Sequence, residues 1–107
     1  MNIQRIGVVG AGTMGHGIAY RAAVVGYDAR LHDTSKTALD RAAANFRGYF
    51  RQAIEKGIMT SMQAAEVYPR LLVTRDVHEL SDVDLVIEAI VEDLAAKRTL
   101  LQSLEGI

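Results

Sequence analysis

A nearly continuous apolar run, Arg5-Ile6-Gly7-Val8-Val9-Gly10, stands near the start of the sequence and ends in glycine, the pattern of a strand buried on both faces of a parallel sheet. From Met14 the apolar spacing lengthens. Met14, Ile18, Ala22 and Val25 recur three or four residues apart, which predicts a helix, and Gly26 stands where a left-handed C-terminal cap belongs. Tyr27 to Asp33 returns to strand character, with Ala29 and Leu31 inside it and an acid at its end. Strand, helix and strand within about thirty residues make a βαβ unit of right-handed crossover.

Thr34 or Ser35 caps a long second helix, whose apolar stripe is Leu39, Ala42, Ala43, Phe46, Phe50 and Ile54 and whose stop is Gly57. Thr60-Ser61-Met62-Gln63 matches a capping box opening a short helix that Tyr68-Pro69 ends. Leu71 to Thr74 reads as a third strand and Asp76 to Leu80 as one helical turn. Asp84 then introduces a further strand, Leu85-Val86-Ile87-Glu88-Ala89-Ile90, after which Leu94, Leu101 and Leu104 fall at helical spacing. Strands alternating with helices, without repeats, low-complexity segments or a linker, give an α/β fold on a mostly parallel sheet.

Composition narrows what such a fold can be. A chain of 107 residues is at most one domain and buries only about 60 to 65% of the surface it exposes when unfolded. With 12 Lys plus Arg against 13 Asp plus Glu, the formal net charge is −1, which argues against a nucleic-acid partner and against a polybasic membrane anchor. The absence of cysteine removes disulfides, thiolate metal sites and Cys nucleophiles, and suits a reducing compartment. No apolar run nears the roughly 18 residues of a bilayer span, and the first residues lack the order of a signal peptide. The expectation is a cytoplasmic protein with neither nucleic acid nor membrane as partner.

Gly10-Ala11-Gly12-Thr13-Met14-Gly15 has the G-x-G-x-x-G spacing, between a predicted strand and a predicted helix. Gly10 permits the tight turn, Gly12 lets the backbone approach a pyrophosphate, and Gly15 allows the helix to pack closely on the strand. The helix N-terminus offers unpaired N–H groups and about half a positive charge to the phosphates. Asp33 closes the next strand 18 residues after Gly15, near the ~20 at which an acid reaches the adenosine ribose. Its carboxylate accepts hydrogen bonds from ribose hydroxyls and repels a 2′-phosphate, and neither Thr34 nor Ser35 is an arginine able to receive one. NAD is therefore expected rather than NADP. An FAD-binding domain with the same turn and acid stays open, as does a purely structural role in which Asp33 caps the following helix.

These blocks resemble, in order, the NAD-binding domain of the L-3-hydroxyacyl-CoA dehydrogenase family, including its 3-hydroxybutyryl-CoA dehydrogenases. The resemblance rests on Ile6 to Gly15, on Leu31-His32-Asp33, and above all on Asp84-Leu85-Val86-Ile87-Glu88-Ala89-Ile90-Val91-Glu92 with Lys97 five residues later. It implies a Rossmann-type doubly wound parallel sheet, of which residues 1–107 are the amino-terminal portion, with a helical insertion between strands 2 and 3. It implies NAD as cofactor, an acyl-CoA as substrate and a homodimeric parent.

By the same resemblance, Ala89 and Ile90 line the cofactor crevice and Glu92 and Lys97 lie beside the nicotinamide half. The structural alternative makes Glu92 an acid at a helix N-terminus and Lys97 a solvated helix residue. Glu88, inside an apolar strand, is either a functional carboxylate or one with a structural partner. Lys56 matches a coenzyme A contact of the family, Tyr49 stands where a serine contact is matched, and Arg47, Arg51 and Lys56 otherwise form a solvated face. His16, His32 and His78 read as structural or surface residues. No catalytic residue is assigned and no metal is expected. The family's catalytic histidine and glutamate match nothing here, so these residues alone are expected to be inactive. Two other functions fit less of the sequence: a non-catalytic NAD(H)-binding module, and a β-hydroxyacid dehydrogenase acting on free acids. The module reading expects a polar close to the last helix, whereas Leu100, Leu101, Leu104 and Ile107 are apolar.

Overall fold

The computed structural model describes residues 3–89. Ile90, Glu92, Lys97 and the helical pattern through Leu104 lie outside them. The elements are β1 (Arg5–Val9), α1 (Thr13–Val24), β2 (Asp28–His32), α2 (Lys36–Glu55), α3 (Ser61–Val67), β3 (Leu71–Thr74) and β4 (Leu85–Glu88), with 3-10 turns at Tyr68–Arg70 and Val77–Leu80. All strand pairs are parallel and the sheet order is β3-β2-β1-β4. The chain builds outward from β1 through β2 to β3, then crosses back to lay β4 on the other side of β1. That reversal opens a crevice beyond the carboxyl ends of β1 and β4, the place where doubly wound sheets take ligands.

In-register pairing of Ile6 with Ala29 and of Val8 with Leu31 puts these four side chains on one face of the sheet. They form a core with Leu39, Ala42, Phe46 and Phe50 of α2 and with Ala19, Ala22 and Ala23 of α1. Leu31 and Val8 have no free surface, each contributing about 1.5 to 3 kcal/mol by burial. On the opposite face a Cβ at Gly7 would meet Leu80 and Val83 at 3.2 Å, so the second 3-10 turn closes directly over β1. Arg30 projects from that face to the Glu79 carbonyl at 2.7 Å and to the Asp82 carboxylate. Asp84 pins the start of β4 by accepting the amides of Gln4 and Arg5 at 2.8 and 2.9 Å.

Of the apolar positions that predict α1, Ala22 is buried and Ile18 packs part-buried against the core. Gly15, His16, Ala19, Ala22 and Ala23 are buried, while Met14 and Val25 are 38% and 71% exposed. The helix lies so close to β1 and β2 that only small side chains fit between, and Gly15, Ala19, Ala22 and Ala23 supply them at helical spacing. In α2 the stripe holds through Phe50, but Ala53 is buried in place of Ile54. The caps follow the expected chemistry. Ser35 caps α2 by accepting the Ala38 amide at 3.1 Å, Thr60 and Gln63 form a reciprocal capping box, and Gly26 and Gly57 adopt φ of +113° and +71°.

β4 differs from the sequence reading in two respects. It ends at Glu88 rather than Ile90, although the Ala89 amide still donates to the Val9 carbonyl at 2.8 Å. Among the described residues, Leu85, Val86 and Glu88 of β4 are exposed and Ile87 is half-buried. No helix among the described residues is long and apolar enough to cross a membrane.

The core assignment is checked by urea unfolding. Leu31→Ala removes a fully buried side chain and is expected to cost about 3 kcal/mol. Val86→Ala, at a half-exposed edge position, should cost less than about 1 kcal/mol. Equal losses would contradict the placement of the core.

Candidate functional site

The glycine turn joins β1 to α1. Gly10 adopts φ of +104°, open to glycine at little cost, and its amide donates to the His32 carbonyl at 2.8 Å, tying the turn to the end of β2. Gly15 is required for a different reason than close packing on the strand. A Cβ there would lie 1.6 Å from the Gly10 carbonyl oxygen, so the third glycine is reserved by the turn's own backbone. Gly12 is the N-cap of α1 and has no side chain to occupy the first-turn amides, and that turn carries no acid. The amides of Gly12 and Thr13 donate to no described residue. They are exposed donors at the positive end of a helix of 12 residues, an arrangement that attracts anions.

Asp33 follows β2 and faces this turn. Its Oδ2 accepts the Ala11 amide at 2.9 Å and its Oδ1 the Ser35 amide at 2.8 Å. Partial burial opposes ionisation, but the amides of Ala11 and Ser35, the neighbouring His32 and the Thr34 amide outweigh it and hold the carboxyl below its ordinary range. With three amides named on a carboxylate of about four lone-pair sites, acceptor capacity remains for a ligand. Asp33 is therefore not the N-cap of α2, a role that falls to Ser35; it acts one step earlier, closing the loop that precedes the helix.

The ends of β2 and β3 are joined at the same level. The Asp33 amide donates to the Thr74 carbonyl at 3.3 Å, the His32 Nε2 meets the Arg75 carbonyl at 3.2 Å, and the Arg75 Nε donates to the Thr34 carbonyl at 3.1 Å. An arginine thus hydrogen-bonds the residue that follows Asp33, supplied from 41 residues away along the chain from Thr34. A sequence reading misses it unless β3 is placed parallel and next to β2, which brings residues 74–75 beside residues 32–34.

The structure brings Gly10, Ala11, Gly12, Thr13, Met14, Gly15, Asp33 and Ala89 to one end of the sheet. Ala89 is buried, and its Cβ lies 3.5 Å from where a Gly15 Cβ would stand, so it packs beneath the turn. Lys56 is elsewhere. It is the C-cap of α2, a helix of 20 residues and so about 30 Å long, and it lines a groove of about 470 Å³ between α1 and α2 with Tyr20, Arg21, Tyr49, Gln52 and Met59. The hydroxyl of Tyr49 is held by His16 Nε2 at 2.7 Å, with the two rings stacked 5.7 Å apart. Of the other histidines, His32 is buried beneath the Arg75 carbonyl and His78 is an exposed partner of Asp76. No group of three metal-ligating side chains is assembled among the described residues.

A family model described as 3-hydroxyacyl-CoA dehydrogenase, NAD binding domain, matches residues 5–107. The chain belongs to that family. It is 35% identical over 102 residues to a 3-hydroxybutyryl-CoA dehydrogenase of Bradyrhizobium diazoefficiens, covering 95% of this chain and 35% of that protein. It is 38% identical over 107 residues to the 3-hydroxyadipyl-CoA dehydrogenase of Escherichia coli, covering 100% of this chain and 22% of that one. The crystal structure of (S)-3-hydroxybutyryl-CoA dehydrogenase from Ralstonia eutropha superposes with a TM-score of 0.82 at 34% identity, over 99% of this chain and 38% of that one. The chain thus spans between about a fifth and two fifths of the length of these relatives. Its sheet order is the 3-2-1-4 side of a Rossmann-type domain. NAD is the cofactor of the family's domain, and the free amides of Gly12 and Thr13 with the ionised Asp33 fit a dinucleotide's pyrophosphate and ribose.

The depressed Asp33 pKa carries a sign. Because the folded state favours the ionised carboxyl, its contribution is present above the ordinary unfolded pKa of about 4 and is lost as pH falls through the lower folded value. Asp33→Asn should therefore lose stability at pH 7, by on the order of 1 kcal/mol for a partly exposed group, and approach the unsubstituted protein as pH falls below the ordinary carboxyl range. Thermal unfolding across that range checks this, and a pH-independent difference would contradict it.

Proposed function

We propose that residues 1–107 form the amino-terminal, cofactor-anchoring part of the dinucleotide-binding domain of an NAD-dependent 3-hydroxyacyl-CoA dehydrogenase. The full-length protein oxidises the 3-hydroxyl of an L-3-hydroxyacyl-CoA to the 3-keto group. The single observation that carries the reading is the pairing of two free amides, Gly12 and Thr13, with a carboxylate, Asp33, tied to the same turn. The names of the family and of the relatives supply the acyl-CoA class of substrate.

Bound NAD supplies the hydride acceptor. The glycine turn, Gly10 to Gly15, positions the pyrophosphate through its amides, and Asp33 accepts from the ribose hydroxyls. Ala89 supports the turn from behind. By resemblance, Ile90 completes the wall of the crevice and Glu92 and Lys97 orient the nicotinamide half. Lys56, remote from the turn, is proposed as a contact to the coenzyme A moiety from the α1–α2 groove. Hydride transfer from an alcohol also requires a base for its proton. None of the three histidines described above faces the cofactor turn, so that base belongs to the part of the parent beyond these residues. A cytoplasmic homodimer completes the proposal, consistent with a chain that has no cysteine.

The test is acetoacetyl-CoA-dependent oxidation of NADH by the full-length protein. NADPH should support less than about a tenth of the kcat/KM seen with NADH, since a 2′-phosphate meets the Asp33 charge. Asp33→Ala should narrow that ratio. No oxidation with acetoacetyl-CoA, or equal use of both nucleotides by the unsubstituted protein, would contradict the proposal.

A further inference from the structure

Asp33 and Arg75, of opposite charge, stand at the carboxyl ends of β2 and β3. The guanidinium of Arg75 lies against the peptide that follows Asp33, with Nε held by the Thr34 carbonyl at 3.1 Å. The backbone of Arg75 is fixed from the other side, because its carbonyl meets the buried His32 ring at 3.2 Å, and the preceding Thr74 carbonyl accepts the Asp33 amide at 3.3 Å. The side chain is exposed, and its two Nη groups engage no described residue. The cations three residues to either side of Asp33, Arg30 and Lys36, are paired with Asp82 and Asp40. Arg75 is thus a cation anchored at one nitrogen, with its remaining donors free, at the end of the strand adjoining the acid.

We propose that Arg75 is a specificity-determining residue of the adenosine 2′ subsite. Asp33 excludes a 2′-phosphate by charge, while Arg75 is placed to receive one, so the preference for NAD rests on the single carboxylate and is undone when that charge is removed. A guanidinium suits this role because its planar set of donors pairs with phosphate oxygens at two points. The inference deepens the reading of Asp33 as the ribose acid and rests on it.

The experiment is a set of direct binding titrations on the full-length protein, following NADH and NADPH by their own fluorescence. The proteins are the unsubstituted chain, Asp33→Asn, Asp33→Asn with Arg75→Gln, and Asp33→Asn with Arg75→Lys. Asp33→Asn should bring the two dissociation constants to within about threefold of each other. Adding Arg75→Gln should weaken NADPH about tenfold while changing NADH less than about twofold, and Arg75→Lys should restore most of the NADPH affinity. The NADPH affinity that Arg75 supplies should fall as salt is raised. If Arg75→Gln weakens both nucleotides equally, or neither, while Asp33→Asn still moves their ratio, Arg75 is not the phosphate cation and the proposal falls alone. If Asp33→Asn leaves the ratio unmoved, the ribose reading of Asp33 falls and takes the proposal with it.

Discussion

Two backbone amides from different loops converge on one carboxylate. Asp33 accepts from Ala11, in the turn that leaves β1, and from Ser35, in the loop that leaves β2. Each bond to an ionised acceptor is worth about 1.5 to 3 kcal/mol before solvent screening. Their structural effect is larger than that number suggests. Asp33 holds the Ala11 amide of the turn while the next two amides, of Gly12 and Thr13, donate to no described residue, and by binding the Ser35 amide it ties down the loop before α2. The residue proposed to meet the ribose is thus also the one that ties down the glycine turn.

The rest of the architecture delivers that carboxylate to that turn. Parallel pairing of β1 with β2 brings their carboxyl ends level, and the Gly10 amide to His32 carbonyl bond extends the pairing by one step into the turn. The small-residue face of α1 lets the helix lie low on the sheet, and the missing side chain of Gly15 lets its first turn close against the Gly10 carbonyl. β4 on the far side of β1 places Ala89 beneath the same turn. Close approach is the shared requirement, and glycine and alanine meet it where larger apolar residues would not.

Much of this was legible before any coordinates. Strand runs, glycine stops, the Thr60–Gln63 capping box and the spacing from Gly15 to Asp33 are local signals with local causes, and each element they mark is present. The spacing of Met14, Ile18, Ala22 and Val25 marks α1 as a helix but not its most buried positions, because the constraint at that interface is smallness. The end of β4 at Glu88 follows from its pairing with β1, which no local pattern states. Arg75 was invisible for the same reason: its relation to Asp33 exists only through the pairing of β2 with β3. The separation of Lys56 from the turn likewise follows from the length and direction of α2 rather than from any motif.

On the proposed function, the Gly12 and Thr13 amides are the donors to the cofactor's phosphates. A 1H–15N spectrum of the protein recorded during titration with NADH tests it directly. The Gly12 and Thr13 amides should show the largest shifts, with Lys56 and Ile58 at the far end of α2 unmoved. Unmoved Gly12 and Thr13 resonances, with the changes gathered around Tyr49 and Lys56 instead, would contradict it.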